Sequence, residues 1–127
     1  MADKIKLVQG DSRPQIKATL TDETTGAVID ISGSTVRLRM RAVGSTTILA
    51  TVLGTLVAGL ENDDGSITTA APYNVPGFGG RVVFIWGAND LNVAAGEYEG
   101  EIEVTFTDGS IQTVYDLLKF KVREDFA

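Results

Sequence analysis

Polar, mostly charged residues alternate with mostly apolar residues in three separate segments, and this two-residue period is the feature that most constrains the fold. The segments are 35–41, 96–107 and 119–123. Successive side chains of a β-strand point to opposite faces, so each segment is predicted to be a strand with one apolar and one charged face. The charged residues are Arg37, Arg39 and Arg41, then Glu97, Glu99, Glu101 and Glu103, then Lys119, Lys121 and Arg123.

The charges predict how these strands are arranged. Glutamates spaced about 6.5–7 Å apart on one strand face repel each other unless neighbouring strands carry cations. The glutamate strand is therefore predicted to lie between the arginine strand and the lysine strand. Strands C, F and G of an immunoglobulin-type sandwich are adjacent, and the three segments occur in that chain order. We interpret the rows as a self-neutralised, solvated face; the alternative is a surface for a cation or a basic partner.

The rest of the chain indicates an all-β fold. A length of 127 residues corresponds to one domain, 1–127. Turn signals such as Asp64-Gly65 and Asp108-Gly109 separate short apolar segments. We predict an immunoglobulin-like antiparallel β-sandwich of seven to nine strands, with one short helical turn near 89–95.

Two apolar stretches need a separate interpretation. Residues 42–60 carry no charge, but Gly44, Gly54 and Gly59 interrupt them, so a buried hairpin with arms 48–53 and 55–60 is favoured over a membrane span. The uninterrupted run 82–85 is typical of a strand covered on both faces. The first residues alternate charged with apolar types, unlike a secretory signal.

Composition argues against catalysis and nucleic-acid binding. The chain has no cysteine and no histidine, so thiolate chemistry and the usual general base are missing, and its net charge of −6 disfavours phosphate backbones. The acidic stretch 61–65 resembles a calcium loop, but Leu60 and Ala71 occupy positions where that loop needs acids. We therefore expect a non-enzymatic protein with no cofactor, no metal and no catalytic residue.

Other residues are candidates for contact or structure. The Gly-rich stretch 72–80 lacks a strand pattern, and its aromatic residues Tyr73 and Phe78 either anchor a partner or fold back onto the sandwich. Tyr98, two residues after Gly96, matches a tyrosine corner, in which the hydroxyl bonds to the backbone just upstream. Apolar candidates for an interface, all within 42–60, are Leu49, Leu53 and Leu56.

Several segments, in this order and spacing, resemble one family. They are Gly10 to Pro14, Asp30 to Arg41, Gly80 to Trp86, Asp90 to Tyr98 and Glu101 to Gly109. Together they resemble the N-terminal domain of tailed-phage baseplate upper proteins and related phage structural proteins. The resemblance implies a small immunoglobulin-like sandwich that docks into a virion, typically at the tail tip or baseplate.

The resemblance also implies partners and a location. We expect contacts with other virion proteins and with copies of this chain, in a homo-oligomer within the particle, with no nucleic acid or membrane as partner. The chain would be made in the host cytoplasm and end in the virion. Residues 44–79 are longer and more apolar than in that family, so a neck or capsid-surface protein is the alternative. A glycan-binding or adhesin-type domain is a second alternative.

Overall fold

The computed structural model describes residues 4–22, 24–114 and 117–126, and within these ranges the protein is all-β. None of the described residues forms a helix, so none provides one able to cross a membrane. The strands are β1 (Ile5–Val8), β2 (Ile16–Thr19), β3 (Thr35–Ala42), β4 (Ile48–Leu56), β5 (Leu60–Glu61), β6 (Ile67–Thr68), β7 (Arg81–Phe84), β8 (Gly96–Thr105), β9 (Ile111–Thr113) and β10 (Leu118–Arg123).

The strands form one curled sheet with the order β1-β10-β8-β3-β4-β7-β2, and β9 pairs with β8. β5 and β6 form a separate hairpin. The pairs β10-β8-β3 and β7-β2 reproduce the C-F-G and B-E neighbours of an immunoglobulin sandwich. One strand pair departs from the predicted antiparallel arrangement: β1 runs parallel to β10. The first layer comprises β1, β10, β8, β3 and the start of β4, and the second comprises the end of β4, β7 and β2.

β4 carries the chain from one layer to the other at Gly54. Its residues up to Leu53 pair with β3, and Gly54 begins the pairing with β7. A Cβ at Gly54 would lie 2.5 Å from Val82 Cγ2 and 2.9 Å from Phe84 Cε1, so the close approach requires glycine. The predicted hairpin is therefore wrong: 48–56 is one continuous strand, and Gly54 is a crossing point between layers.

The core lies between the two layers. Val36, Leu38 and Met40 are at most 1% exposed, which confirms the apolar face predicted from the alternation. Trp86, which follows β7, packs edge-on against Phe120 of β10 with ring centroids 5.8 Å apart. Since β7 and β10 are distant in strand order, this contact shows that the sheet curls until its halves face each other.

Two other segments differ from the sequence predictions. Val82 and Phe84 are 1% exposed, but Ile85 is 58% exposed, so the run 82–85 is covered on one face only. The physical reason is that the second layer has the core on one side and an open groove on the other. The segment near 89–95 contains successive turns, with N–H groups of Asp90 and Asn92 bonding to carbonyls three residues earlier.

Candidate functional site

The outer face of the first layer carries the charge rows in the predicted order. β8 lies between β3 and β10, and Glu99 is directly opposite Arg41 on one side and Lys119 on the other. Arg37 is likewise opposite Glu103. The prediction that the three alternating segments are neighbours is confirmed.

Two glutamates bind the whole arginine row. Arg41 donates from Nε and Nη2 to Glu99 Oε2 at 3.1 and 2.9 Å. Arg39 donates from Nη2 to Glu103 Oε2 at 2.7 Å, and Arg37 Nε lies 3.8 Å from Glu103 Oε1. Lys119 Nζ is 4.0 Å from Glu99 Oε1. These carboxylates are thus occupied by cations of their own sheet, which fixes the strand register more than it stabilises the fold.

The remaining charged residues of the rows do not form the ion pairs that the alternating pattern predicts. Glu101 is opposite Arg39 in the register, yet Arg39 reaches diagonally to Glu103. Within the described ranges neither Glu101 nor Lys121 forms an ion pair. Glu97 instead binds Lys4 Nζ at 3.0 Å, a partner that the sequence analysis missed because Lys4 belongs to none of the three charge rows.

The predicted tyrosine corner is present at the start of β8. The Tyr98 side chain is buried, and its hydroxyl donates a hydrogen bond to the Ala94 carbonyl oxygen. The same loop is held at Leu91, which is fully buried, and at Gly10, whose N–H donates to the Leu91 carbonyl at 2.9 Å. The corner is a structural feature that anchors the loop to the sheet.

Tyr73 and Phe78 fold back rather than stand out from the surface. Their rings pack edge-on with centroids 5.8 Å apart, and both side chains are half-buried. The loop that carries them is bonded to the body: Gly59 N–H donates to the Tyr73 carbonyl at 2.7 Å, and Gly77 N–H donates to the Val57 carbonyl at 3.1 Å. Of the two readings of these aromatics, the geometry favours the folded-back one.

The apolar candidates on β4 divide by face. Leu49 and Leu53 are 46% and 66% exposed, whereas Leu56 is half-buried and packs against the core. Sequence reasoning missed Ile85, which follows β7 and lies one residue beyond the Gly54–Phe84 pair, on the Leu53 side. The sequence did not indicate that Ile85 is exposed, because Ile85 ends an uninterrupted apolar run that was predicted to be covered on both faces. Leu49, Leu53 and Ile85 therefore lie along β4 and just after β7, on the part of the sheet that passes from the first layer to the second.

The acidic stretch 61–65 is a turn that binds its own chain. Asp64 Oδ1 accepts hydrogen bonds from the Ser66 N–H at 2.9 Å and hydroxyl at 2.6 Å, and these bonds lower the pKa of Asp64. Asp108 and Ser110 repeat the arrangement, with the same effect on the pKa of Asp108. In the described part of the chain no group of three or more acidic side chains is placed to hold a metal ion.

A groove on the second layer has a volume of about 480 Å³ and mixed polar and apolar walls. Lys17, Arg81 and Glu61 contribute its charges. Arg81 is partly committed to the fold, since its Nη1 donates to the Ala58 carbonyl at 2.7 Å. The groove therefore presents few free polar groups that converge on one point.

Comparisons with family models, with curated proteins and with solved structures gave no match. The resemblance to phage structural proteins therefore stays a prediction from the sequence segments. Two surfaces are therefore candidates for function. One is the charged face, which is largely self-neutralised, and the other is the exposed apolar strip formed by β4 and Ile85.

Proposed function

We propose that this chain is a structural protein of a bacteriophage virion, a non-enzymatic immunoglobulin-like assembly module of the tail or baseplate region. The observation that carries the proposal is the contrast between the two surfaces. Glu99 and Glu103 are held by arginines of the next strand, whereas Leu49 and Leu53 remain exposed at the edge of the sheet. Exposed apolar surface of this kind is typical of protein–protein contact.

The segments that carry the resemblance support the proposal by their positions. Residues 30–41 lead into and form most of β3, 80–86 include β7, and 101–109 include the end of β8. β3 and β8 pair along their length, and β7 closes the core from the other layer. The resemblance therefore includes paired strands of the first layer and one strand of the second, as expected if related modules share a scaffold.

Residues 44–79 fall outside the resemblance and build different features. They form β4, the β5–β6 hairpin and the loop around Tyr73. In the proposed role this segment adapts the shared scaffold to one position in the particle. It would therefore decide between the tail or baseplate and the alternative of the neck or capsid surface.

The test is to locate the chain in purified particles of the phage that encodes it. Mass spectrometry of nuclease-treated, gradient-purified virions should find the chain in a fixed ratio to other virion proteins, and image reconstruction should place the sandwich at a symmetric position. A chain recovered only from the particle-free lysate would overturn the proposal. Binding to specific members of a glycan array, without incorporation into particles, would instead support the adhesin alternative.

A further inference from the structure

The first half of β4 is a free strand edge. Residues 48–53 pair with β3 on one side, and within the described ranges no strand is registered against their other side, where the pairing with β7 begins only at Gly54. A free edge offers a row of N–H and C=O groups to any strand that can align with it. This edge is therefore able to accept a further strand.

The edge strands β1 and β2 each carry a charge that discourages such pairing, β9 is only three residues long, and the β4 edge carries no charge. β1 has Lys6 exposed and β2 has Lys17 exposed, and lysine on an edge strand is a common protection against unwanted pairing. Residues 42–60 contain no charged residue and no proline. Instead, the β4 edge exposes Ile48 and Leu49 at 47% and 46%, and Leu53 at 66%.

We propose that the β4 edge binds the β4 edge of a second copy of this chain, antiparallel about a two-fold axis, so that two first layers join into one sheet. The inference deepens the proposed assembly role, on which it rests, by naming the partner and the strand. A strand that meets itself antiparallel across a two-fold axis is self-complementary, because every N–H to C=O hydrogen bond from the first copy to the second is repeated by the same bond from the second copy to the first.

Charge favours a second β4 edge over the β1 and β2 edges of the same protein. Pairing β4 with β1 or β2 of another copy would place Lys6 or Lys17 beside exposed leucines and remove water from an unpaired cation. Two β4 edges bring no charges together. In the joined sheet the arginine rows would be three strand spacings apart, about 14 Å, which exceeds the Debye length of about 8 Å at physiological salt.

The geometry also sets the strength of the contact. The register between β3 and β4 shifts after Met40, so Leu49 has no partner on β3 and 50–53 is the regular stretch. A pairing this short, with a few apolar side chains, buries much less than the roughly 800 Å² per partner of a standard interface. We therefore expect a weak, concentration-dependent dimer in solution that becomes stable where an assembly holds many copies together.

Sedimentation velocity over a wide concentration range tests the inference with matched variants of the full chain. Leu53→Lys should weaken dimerisation at least tenfold, because it replaces the most exposed leucine of the contact with a cation. Ile111→Lys makes the same change on β9 at an equally exposed position (63%) and should leave dimerisation unchanged. Both variants should keep the wild-type melting temperature. Equal effects of the two substitutions, or dimerisation that survives Leu53→Lys, would refute the β4 interface and leave the assembly role standing.

Cross-linking gives a second measurement, because the chain contains no cysteine. Thr51→Cys, in the middle of the pairing stretch, should form a disulfide-linked dimer under mild oxidation at least tenfold faster than Gln112→Cys, which is exposed on β9. Equal rates would indicate random collision and overturn the inference. A wild-type chain that is found in particles but is monomeric at every concentration, with no preferred cross-link, would also refute the β4 pairing without touching the virion role.

Discussion

Removing the hydroxyl of Tyr98 measures what the corner before β8 contributes to stability. Phenylalanine keeps the ring, which is 5% exposed and lies opposite Phe120 in the strand register, so the packing is preserved. The hydrogen bond to the Ala94 carbonyl is lost, and one such bond contributes about 1 kcal/mol. Ala94 is exposed, so its carbonyl can bind water and no further penalty for a buried unpaired group is expected.

The assay is urea unfolding followed by the fluorescence of Trp86, the single tryptophan, which is 3% exposed in the folded protein. Tyr98→Phe should lower the free energy of unfolding by about 1 kcal/mol and the melting temperature by about 3–5 °C. Tyr73→Phe is the control, because the Tyr73 hydroxyl has no hydrogen bond in the described ranges and its edge-on contact with Phe78 persists. If the two variants are equally stable, the corner contributes nothing and the reasoning is refuted.

Three further substitutions test the packing, the charge rows and the Asp turns. Gly100→Ala should destabilise the fold by about 1–3 kcal/mol in thermal unfolding, because the new Cβ would lie 2.7 Å from Phe120 Cε2; an unchanged melting temperature would contradict the close packing. Glu103→Gln should lower the free energy of unfolding by about 0.5–1 kcal/mol at low salt and less at high salt, whereas Glu101→Gln, which breaks no ion pair, should be neutral. Asp108 has a folded pKa below its ordinary 3.8, so its carboxylate stabilises the fold above that value and the contribution is lost as the pH falls through the folded pKa. The stability difference between wild type and Asp108→Asn should therefore shrink on acidification below about pH 4, and a constant difference would contradict the assignment.

The sequence was enough to predict which strands are neighbours, because the charge rows interact only between adjacent strands. A row of glutamates needs cations beside it, and the chain has matching arginine and lysine rows, so the order followed from charge alone. The individual pairs could not be predicted, because Arg39 lies opposite Glu101 but reaches Glu103. Which carboxylate a long side chain reaches depends on side-chain packing that the alternation does not encode.

The path of β4 could not be predicted for a different reason. A glycine that interrupts an apolar stretch is typical of a turn, so Gly54, between Leu53 and Thr55, predicts a turn when only its sequence neighbours are considered. Its true role depends on Val82 and Phe84, which are distant in the chain and leave no room for a Cβ. The exposure of Leu53 follows from that path, so the candidate interface could be identified from the sequence but its geometry could not.

The distribution of exposed apolar residues links the fold to the proposed role. Of the nine large apolar side chains that are exposed in the described ranges, five lie within residues 44–79, the segment outside the resemblance. The charge rows, in contrast, lie on β3, β8 and β10, and the segments of the resemblance cover most of β3 and β8. A scaffold that neutralises its own charges can keep its fold while residues 44–79 change. Partner choice would then vary through β4 and the loops that follow it, whereas the strand order stays fixed by the ion pairs of Glu99 and Glu103.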